Sequence, residues 1–203
     1  MILTMLMDIC PLSELDFFIN NHMLWPSQNI FTIDIPKTGC QSRWSIGREK
    51  WRGQALLGHM SLKKAQYHLK DKQPDGADSV EYWTVIRHPF DRFVSGLNFV
   101  AQGRLKNRSL DEFLTSNQYY QHFIFRPSFQ FLDDPNVEVK LWPMEHLDEM
   151  MRELGIRGEI PHANKSRGAF DRNEIAQRKD IDNIMERYVD DFALYERAQA
   201  NFR

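Results

Sequence analysis

Apolar positions along this chain change period repeatedly, and the changes mark out its elements. Residues Asn29 to Pro36, NIFTIDIP, alternate Phe31, Ile33 and Ile35 with Ile30, Thr32 and Asp34 and are rich in β-branched side chains. That pattern predicts a strand stopping at a proline. Trp44, Ile46, Trp51, Leu56 and Leu57 follow at roughly helical spacing, so the order reads strand, loop, helix. The same order returns at Tyr82 to Ile86, a short apolar strand, followed by RHP and a helix with Phe93, Val94, Leu97 and Val100 on one face. Pro89 suits the first turn of that helix. Val137 to Trp142 predicts a third strand ending before Pro143.

Helical signals fill most of the remainder. Ser13 with Asp16 resembles a capping arrangement ahead of Leu15, Phe18 and Ile19, and Ser109 with Glu112 fits a capping box. Leu147, Met150, Met151 and Leu154 predict a helix closed by Gly155. Ile181, Ile184, Met185, Tyr188 and Val189 predict another amphipathic helix. Strands separated by helices rather than hairpins imply an α/β fold, a central parallel sheet flanked by helices on both faces. Ligands of such folds bind at the carboxyl ends of the strands, and both strand-to-helix loops are expected to open on that edge.

Composition narrows the function classes. The 203 residues contain no internal repeat, low-complexity tract or Gly/Ser-rich linker, so one domain over residues 1–203 is expected. Lys and Arg number 26 against 28 Asp and Glu, a net charge of −2, which argues against a nucleic-acid partner or an acidic membrane surface. Any anion site is therefore local. The two cysteines, Cys10 and Cys40, make neither a disulfide framework nor a four-ligand zinc site, and suit a reducing, cytoplasmic setting. The opening MILTMLM is interrupted by Asp8 and Pro11 and is far shorter than the ~20 apolar residues of a membrane span, so no span is expected. The histidines lack metal-site spacing, so no metal is expected.

Two loops carry candidate chemistry. Pro36 to Arg43 ends a strand and begins a helix, where backbone N–H groups converge on anions; Lys37 adds a charge, and Thr38 and Ser42 add hydroxyls. It is not a Walker A loop, because its lysine precedes Gly39 and no upstream glycine frames it. In the second loop Arg87 follows a strand and can fork two hydrogen bonds to a phosphate; Ser95 lies two helical turns on, with Arg92 between. Taken singly, each loop also reads as structure: a solvated lysine turn, or an exposed arginine with an intrahelical Asp91 pair. Together on one edge they suggest a ligand with phosphates at both ends of a nucleoside.

IPKTGCQS at 35–42, GHMSL at 58–62, WTVIRHPFDRFVSGL at 83–97, MEHL at 144–147 and PHANKS at 161–166 resemble, in order, the sulfotransferases that use 3′-phosphoadenosine 5′-phosphosulfate (PAPS), in particular their carbohydrate branch. The resemblance covers about residues 30 to 195 and implies a P-loop-like nucleotide-binding sulfotransferase fold. It implies that Lys37 stabilises the leaving oxygen, that Thr38, Gly39, Cys40, Gln41 and Ser42 cradle the 5′-phosphate, and that Arg87 and Ser95 hold the 3′-phosphate. Lys165 and Ser166 resemble the late loop that closes over the nucleotide, while Gln41 stands where a threonine or similar small residue is common.

In-line transfer of SO₃ to a carbohydrate hydroxyl also needs a base. His59 resembles the base of the uronyl 2-O-sulfotransferase type; Glu49, Glu81 and Glu145 are rivals, Glu145 lying in a structural segment of the family. The plainer reading of His59 is a packed or capping histidine. Trp44 and Trp51 are candidate sugar platforms, and Arg104, Lys106 and Arg108 a candidate steering patch. Acceptor recognition is expected from the segment between the loops and from residues 101 to 135. The alternatives are a non-catalytic nucleotide-binding protein and a small-molecule kinase on a related fold, the latter disfavoured by the missing Walker A.

Overall fold

Short β-branched runs form the strands, and their pairing sets the architecture. The computed structural model describes residues 22–25, 29–40, 42, 55–56, 59–72, 79–103, 109–115, 118–156 and 169–202. Its strands are β1 (His22–Trp25), β2 (Ile30–Ile33), β3 (Ala55–Leu56), β4 (Glu81–Ile86) and β5 (Val139–Pro143), in the sheet order β3-β1-β2-β4-β5. Strands β2, β4 and β5 are parallel, with Ile33 opposite Thr84 and Thr84 opposite Leu141. The Thr84 hydroxyl also donates to the Ile33 carbonyl at 2.8 Å.

The helices are α1 (Leu62–Lys72), α2 (Pro89–Gly103), α3 (Leu110–Thr115), α4 (Gln118–Gln121), α5 (Leu147–Glu153), α6 (Arg172–Ala176), α7 (Ile181–Glu186) and α8 (Val189–Ala200). Single 3₁₀ turns occupy Phe123–Phe125, Ser128–Phe131 and Met144–His146. All of β2 and everything after Glu81 in β4 is buried, as expected of parallel strands covered on both faces. Alternation decides which helix covers which face. Trp83, Val85 and Trp142 pack with Met150 and Met151 of α5 and with Leu154 just after it, whereas Phe31, Ile33 and Tyr82 pack with Leu62 and Leu69 of α1. The α/β class follows from this layering.

Local signals resolve as local structure. The Ser109–Glu112 box is reciprocal: the Glu112 N–H donates to Ser109 Oγ at 3.1 Å and the Ser109 N–H to Glu112 Oε2 at 3.0 Å. Gly155 leaves α5 with φ 77°, and Pro89 opens α2.

Three expectations are corrected. The sheet is mixed rather than wholly parallel, because β1 runs antiparallel to β2 and carries β3 antiparallel on its other side. Leu56, expected on a helix, pairs with His22 in β3; the edge of β1 offers backbone hydrogen bonds that a loose apolar spacing does not reveal. The period from Ile181 to Val189 is not one helix. The chain breaks after α7, where Tyr188 turns into the core and gives its hydroxyl to the Phe125 carbonyl at 2.7 Å, leaving Val189 64% exposed. The expected cap at Ser13 and Asp16, the opening apolar segment with Cys10, and the helical positions Trp44, Ile46, Trp51 and Leu57 lie outside the described residues. Among those described, no helix is long and apolar enough to cross a membrane, and no group of His, Cys, Asp and Glu is placed to hold a metal ion.

Candidate functional site

Two left-handed residues bend the chain after β2: Lys37 has φ 68° and Gly39 φ 79°. A lysine in this region is strained, an arrangement that persists where the surroundings over-determine it and that clusters at functional sites. The surroundings are visible. Thr38 Oγ1 donates to the Ile35 carbonyl at 2.8 Å, and Cys40 Sγ donates to the same oxygen at 2.9 Å. The Ser42 N–H donates to the Gly39 carbonyl at 3.1 Å as the path becomes helical at Cys40 and Ser42. Thr38, Cys40 and Ser42 are buried, so the first two hold the shape of the loop with their own polar hydrogens. A Cβ on Gly39 would lie 3.2 Å from Leu147 Cδ2, which shows how closely the start of α5 supports the loop from beneath.

Parallel pairing of β2 with β4 brings the second loop alongside. Arg87, one residue past β4, donates from Nη1 to the Lys37 carbonyl at 3.3 Å. The Lys37 ammonium lies 4.5 Å from the centre of the Phe99 ring. Phe99 stands four residues after Ser95 on α2, so the half-buried Ser95 shares the face of α2 that meets Lys37. Lys37 and Arg87 thus meet at the carboxyl ends of β2 and β4, and Ser95 stands one helical turn before Phe99 on α2.

Burial makes this meeting of cations electrostatically costly. Burial pushes the Lys37 ammonium down to about 8; the Cys40 sulfur opposes the shift and the Arg87 charge adds to it. Burial also lowers Arg87, opposed by Asp91 and Glu145 and reinforced by Arg92. Among the described residues, neither Lys37 nor Arg87 makes an ion pair with a carboxylate. An anion between them would relieve both.

His59 enters from the segment before α1. Its Nδ1 lies 2.7 Å from the Asp34 carbonyl oxygen, three residues before Lys37. A carbonyl only accepts, so Nδ1 carries the proton in this hydrogen bond. The ring also lies 5.6 Å from that of Phe123, tilted by 30°.

Of the rival bases that are described, Glu81 is remote, and Glu145, near enough to act on the Arg87 charge, is engaged in hydrogen bonds with α8. Glu81 begins β4 while Arg87 follows its end, about 20 Å away at ~3.3 Å per residue; its Oε2 accepts from Trp83 Nε1 at 3.0 Å. Glu145 accepts from the Tyr195 hydroxyl at 3.1 Å and from Gln199 Nε2 at 3.3 Å, which ties α8 to the turn before α5. Glu49, Gln41, Gly58, Lys165, Ser166, Trp44, Trp51 and the basic positions 104, 106 and 108 lie outside the described residues.

Arg92 does not pair with Asp91. It is buried, donating to the Ile124 carbonyl at 3.2 Å, the Arg126 carbonyl at 2.8 Å and Asp191 Oδ2 at 3.4 Å, while Asp91 takes Arg172 Nε at 2.6 Å. Sequence reasoning missed Phe99 and Phe123. Phe99 was within reach, being one turn past Ser95, whereas nothing near Phe123 in sequence points to His59. Compared with known proteins, the chain matches no family model, no curated protein and no solved structure.

Proposed function

We propose that this protein is a sulfotransferase that moves the sulfuryl group of PAPS to a hydroxyl of a carbohydrate acceptor. One observation carries the reading: two partly buried cations, Lys37 and Arg87, meet at the carboxyl ends of adjacent parallel strands, and among the described residues neither is ion-paired with a carboxylate, although Asp91 and Glu145 act on Arg87 from farther off. The motif resemblance supplies the ligand that fits them. Ser95 on the facing helix and the constrained Lys37–Ser42 turn are consistent with a P-loop-like sulfotransferase fold.

In the proposed reaction Arg87 and Ser95 hold the 3′-phosphate, while residues 37–42 hold the 5′-phosphate, with Lys165 and Ser166 assigned to the same nucleotide by resemblance. The acceptor oxygen attacks sulfur in line, forming one S–O bond as the bridging S–O bond to the 5′-phosphate breaks. The acceptor proton passes to His59 Nε2, and the electron pair of the broken bond leaves on adenosine 3′,5′-bisphosphate, beside the Lys37 ammonium. No metal is required, because the charge that develops on the leaving oxygen has a cation at hand.

Calorimetry with adenosine 3′,5′-bisphosphate and with ATP, joined to transfer from labelled PAPS across a glycan panel, tests this. The bisphosphate should bind far more tightly than ATP, and Lys37→Ala should abolish transfer. Equal or tighter ATP binding overturns the reading.

A further inference from the structure

A lysine head is a strongly hydrated charge on a flexible stem, and it ordinarily stays in water. That of Lys37 is drawn inward. The residue is half-buried, and its Nζ lies over the Phe99 ring, 4.5 Å from the centre. Among the described residues Nζ makes neither a hydrogen bond nor an ion pair, so the ring is the group that meets the charge. A phenyl face is the negative part of the ring quadrupole, and it attracts a cation more strongly where water is scarce.

Both ends of this contact are fixed. Phe99 packs against the core cluster of Phe93, Val94 and Leu97, and its neighbours on α2 are fastened to the rest of the protein. The buried Asn98 donates from Nδ2 to the Phe170 carbonyl at 3.2 Å and accepts from the Phe170 N–H at 2.8 Å. Gly96 lets α2 lie directly on the next segment, since a Cβ there would come within 2.8 Å of Phe125 Cε1 and 2.9 Å of Ile124 Cγ2. Arg92 takes the Ile124 and Arg126 carbonyls of that segment, and its partner Asp191 accepts from the Ser128 N–H at 2.7 Å and the Phe129 N–H at 3.0 Å. On the other side, the Lys37 backbone is set by φ 68° and by the Arg87 hydrogen bond to its carbonyl. Only the lysine stem spans the gap between them.

We propose that Phe99 is a positioning residue for Lys37, its ring face holding the ammonium at the strand ends before any anion arrives. Burial favours the neutral amine, the Arg87 charge adds to that and the Cys40 sulfur opposes it, while Asp91 and Glu145 act on Arg87. The ring supports the cation in a way that a leucine of similar bulk cannot. The inference rests on the sulfotransferase reading only for its effect on turnover.

Stepwise fluorination tests it. Mono-, di- and trifluorophenylalanine at position 99 weaken the ring face with little change of shape. The Lys37 pKa is followed in the whole protein without ligand by the ¹³Cε signal of labelled lysine, assigned by its loss in Lys37→Met. It should fall with each fluorine, by ~0.5 to 1 pH unit over the series, and by as much in Phe99→Leu, while Phe99→Tyr should leave it nearly unchanged. Where Phe99→Leu does not fold, the fluorinated series stands alone. Under turnover, kcat/KM for PAPS reports groups of the free enzyme, so the trifluoro variant should lose ~3- to 10-fold at pH 9.5 and little at pH 6.5. A Lys37 pKa that stays put along the series in folded protein overturns the proposal whether or not the protein transfers sulfate. A pKa that moves while the wild type transfers nothing from PAPS overturns only the sulfotransferase reading.

Discussion

Arg87 donates from Nη1 to the carbonyl of Lys37 at 3.3 Å, so the end of one strand is fastened to the bend that follows its neighbour. The same guanidinium is the candidate fork for a phosphate, which makes it both a tie between the loops and a ligand contact. Arg87→Ala should raise the Kd for adenosine 3′,5′-bisphosphate ~10- to 100-fold, the value of a charge-assisted hydrogen bond. Arg87→Lys should recover little, because an ammonium cannot donate to a phosphate and a carbonyl in the fixed geometry of a guanidinium. Calorimetry of both variants checks this.

Lys37 gives the site a pH signature. Its pKa falls from 10.5 to about 8 on folding, so between these values the unfolded chain binds more protons than the folded one, and stability rises with pH across that window. The cost of burying the charge, on the order of 3 kcal/mol, is fully present below pH 8 and relieved toward pH 10.5. Lys37→Met should remove this dependence, which urea melts of both proteins at pH 7 and pH 9.5 would reveal as a stability gap that shrinks at the higher pH. A bound anion acts in the opposite sense and raises the pKa. Bisphosphate binding near pH 8 should therefore take up protons and weaken as pH rises further, visible as a buffer-dependent enthalpy in calorimetry.

His59→Ala should lower kcat ~10²- to 10⁴-fold, the range of a positioned base, with donor affinity unchanged. Single-turnover transfer from labelled PAPS measures it, and an unchanged rate would move the base to another residue.

The Arg92–Asp191 pair predicts a stability effect distant from any ligand. Asp191→Asn leaves a guanidinium buried without its counter-charge and should cost ~3 to 5 kcal/mol. Replacing both partners with apolar residues should cost less than that single change. Thermal melts of the single and double variants decide the matter.

Strands β2, β4 and β5 and the two cationic loops were legible because their signals are local. A parallel strand buried on both faces is written as an unbroken apolar run, as in YWTVI, and a proline or an RHP step marks its end. The Ser109–Glu112 box needs only three residues of spacing. Strands β1 and β3 escaped because four and two residues carry no period, and their pairing lies with partners elsewhere in the chain. The helical period ran on past Tyr188 because the break is made by tertiary contacts with Phe125 and Arg92. In the site, charge announced Lys37 and Arg87. Phe99 and Phe123 look like ordinary core residues in sequence, and only the approach of a lysine and a histidine gives them another part.

Arg92 and Asp191 are separated by 99 residues. On a ribosome adding 5 to 20 residues per second, that interval is about 5 to 20 s. Lys37, His59 and Arg87 all emerge before it begins, and Phe123 within it, yet the segment bearing Phe123 stays unlatched until α8 is synthesised. The nascent chain thus carries both cations well before the segment from Ile124 to Phe129 is latched, an order set by the 99 residues between the two partners of the latch.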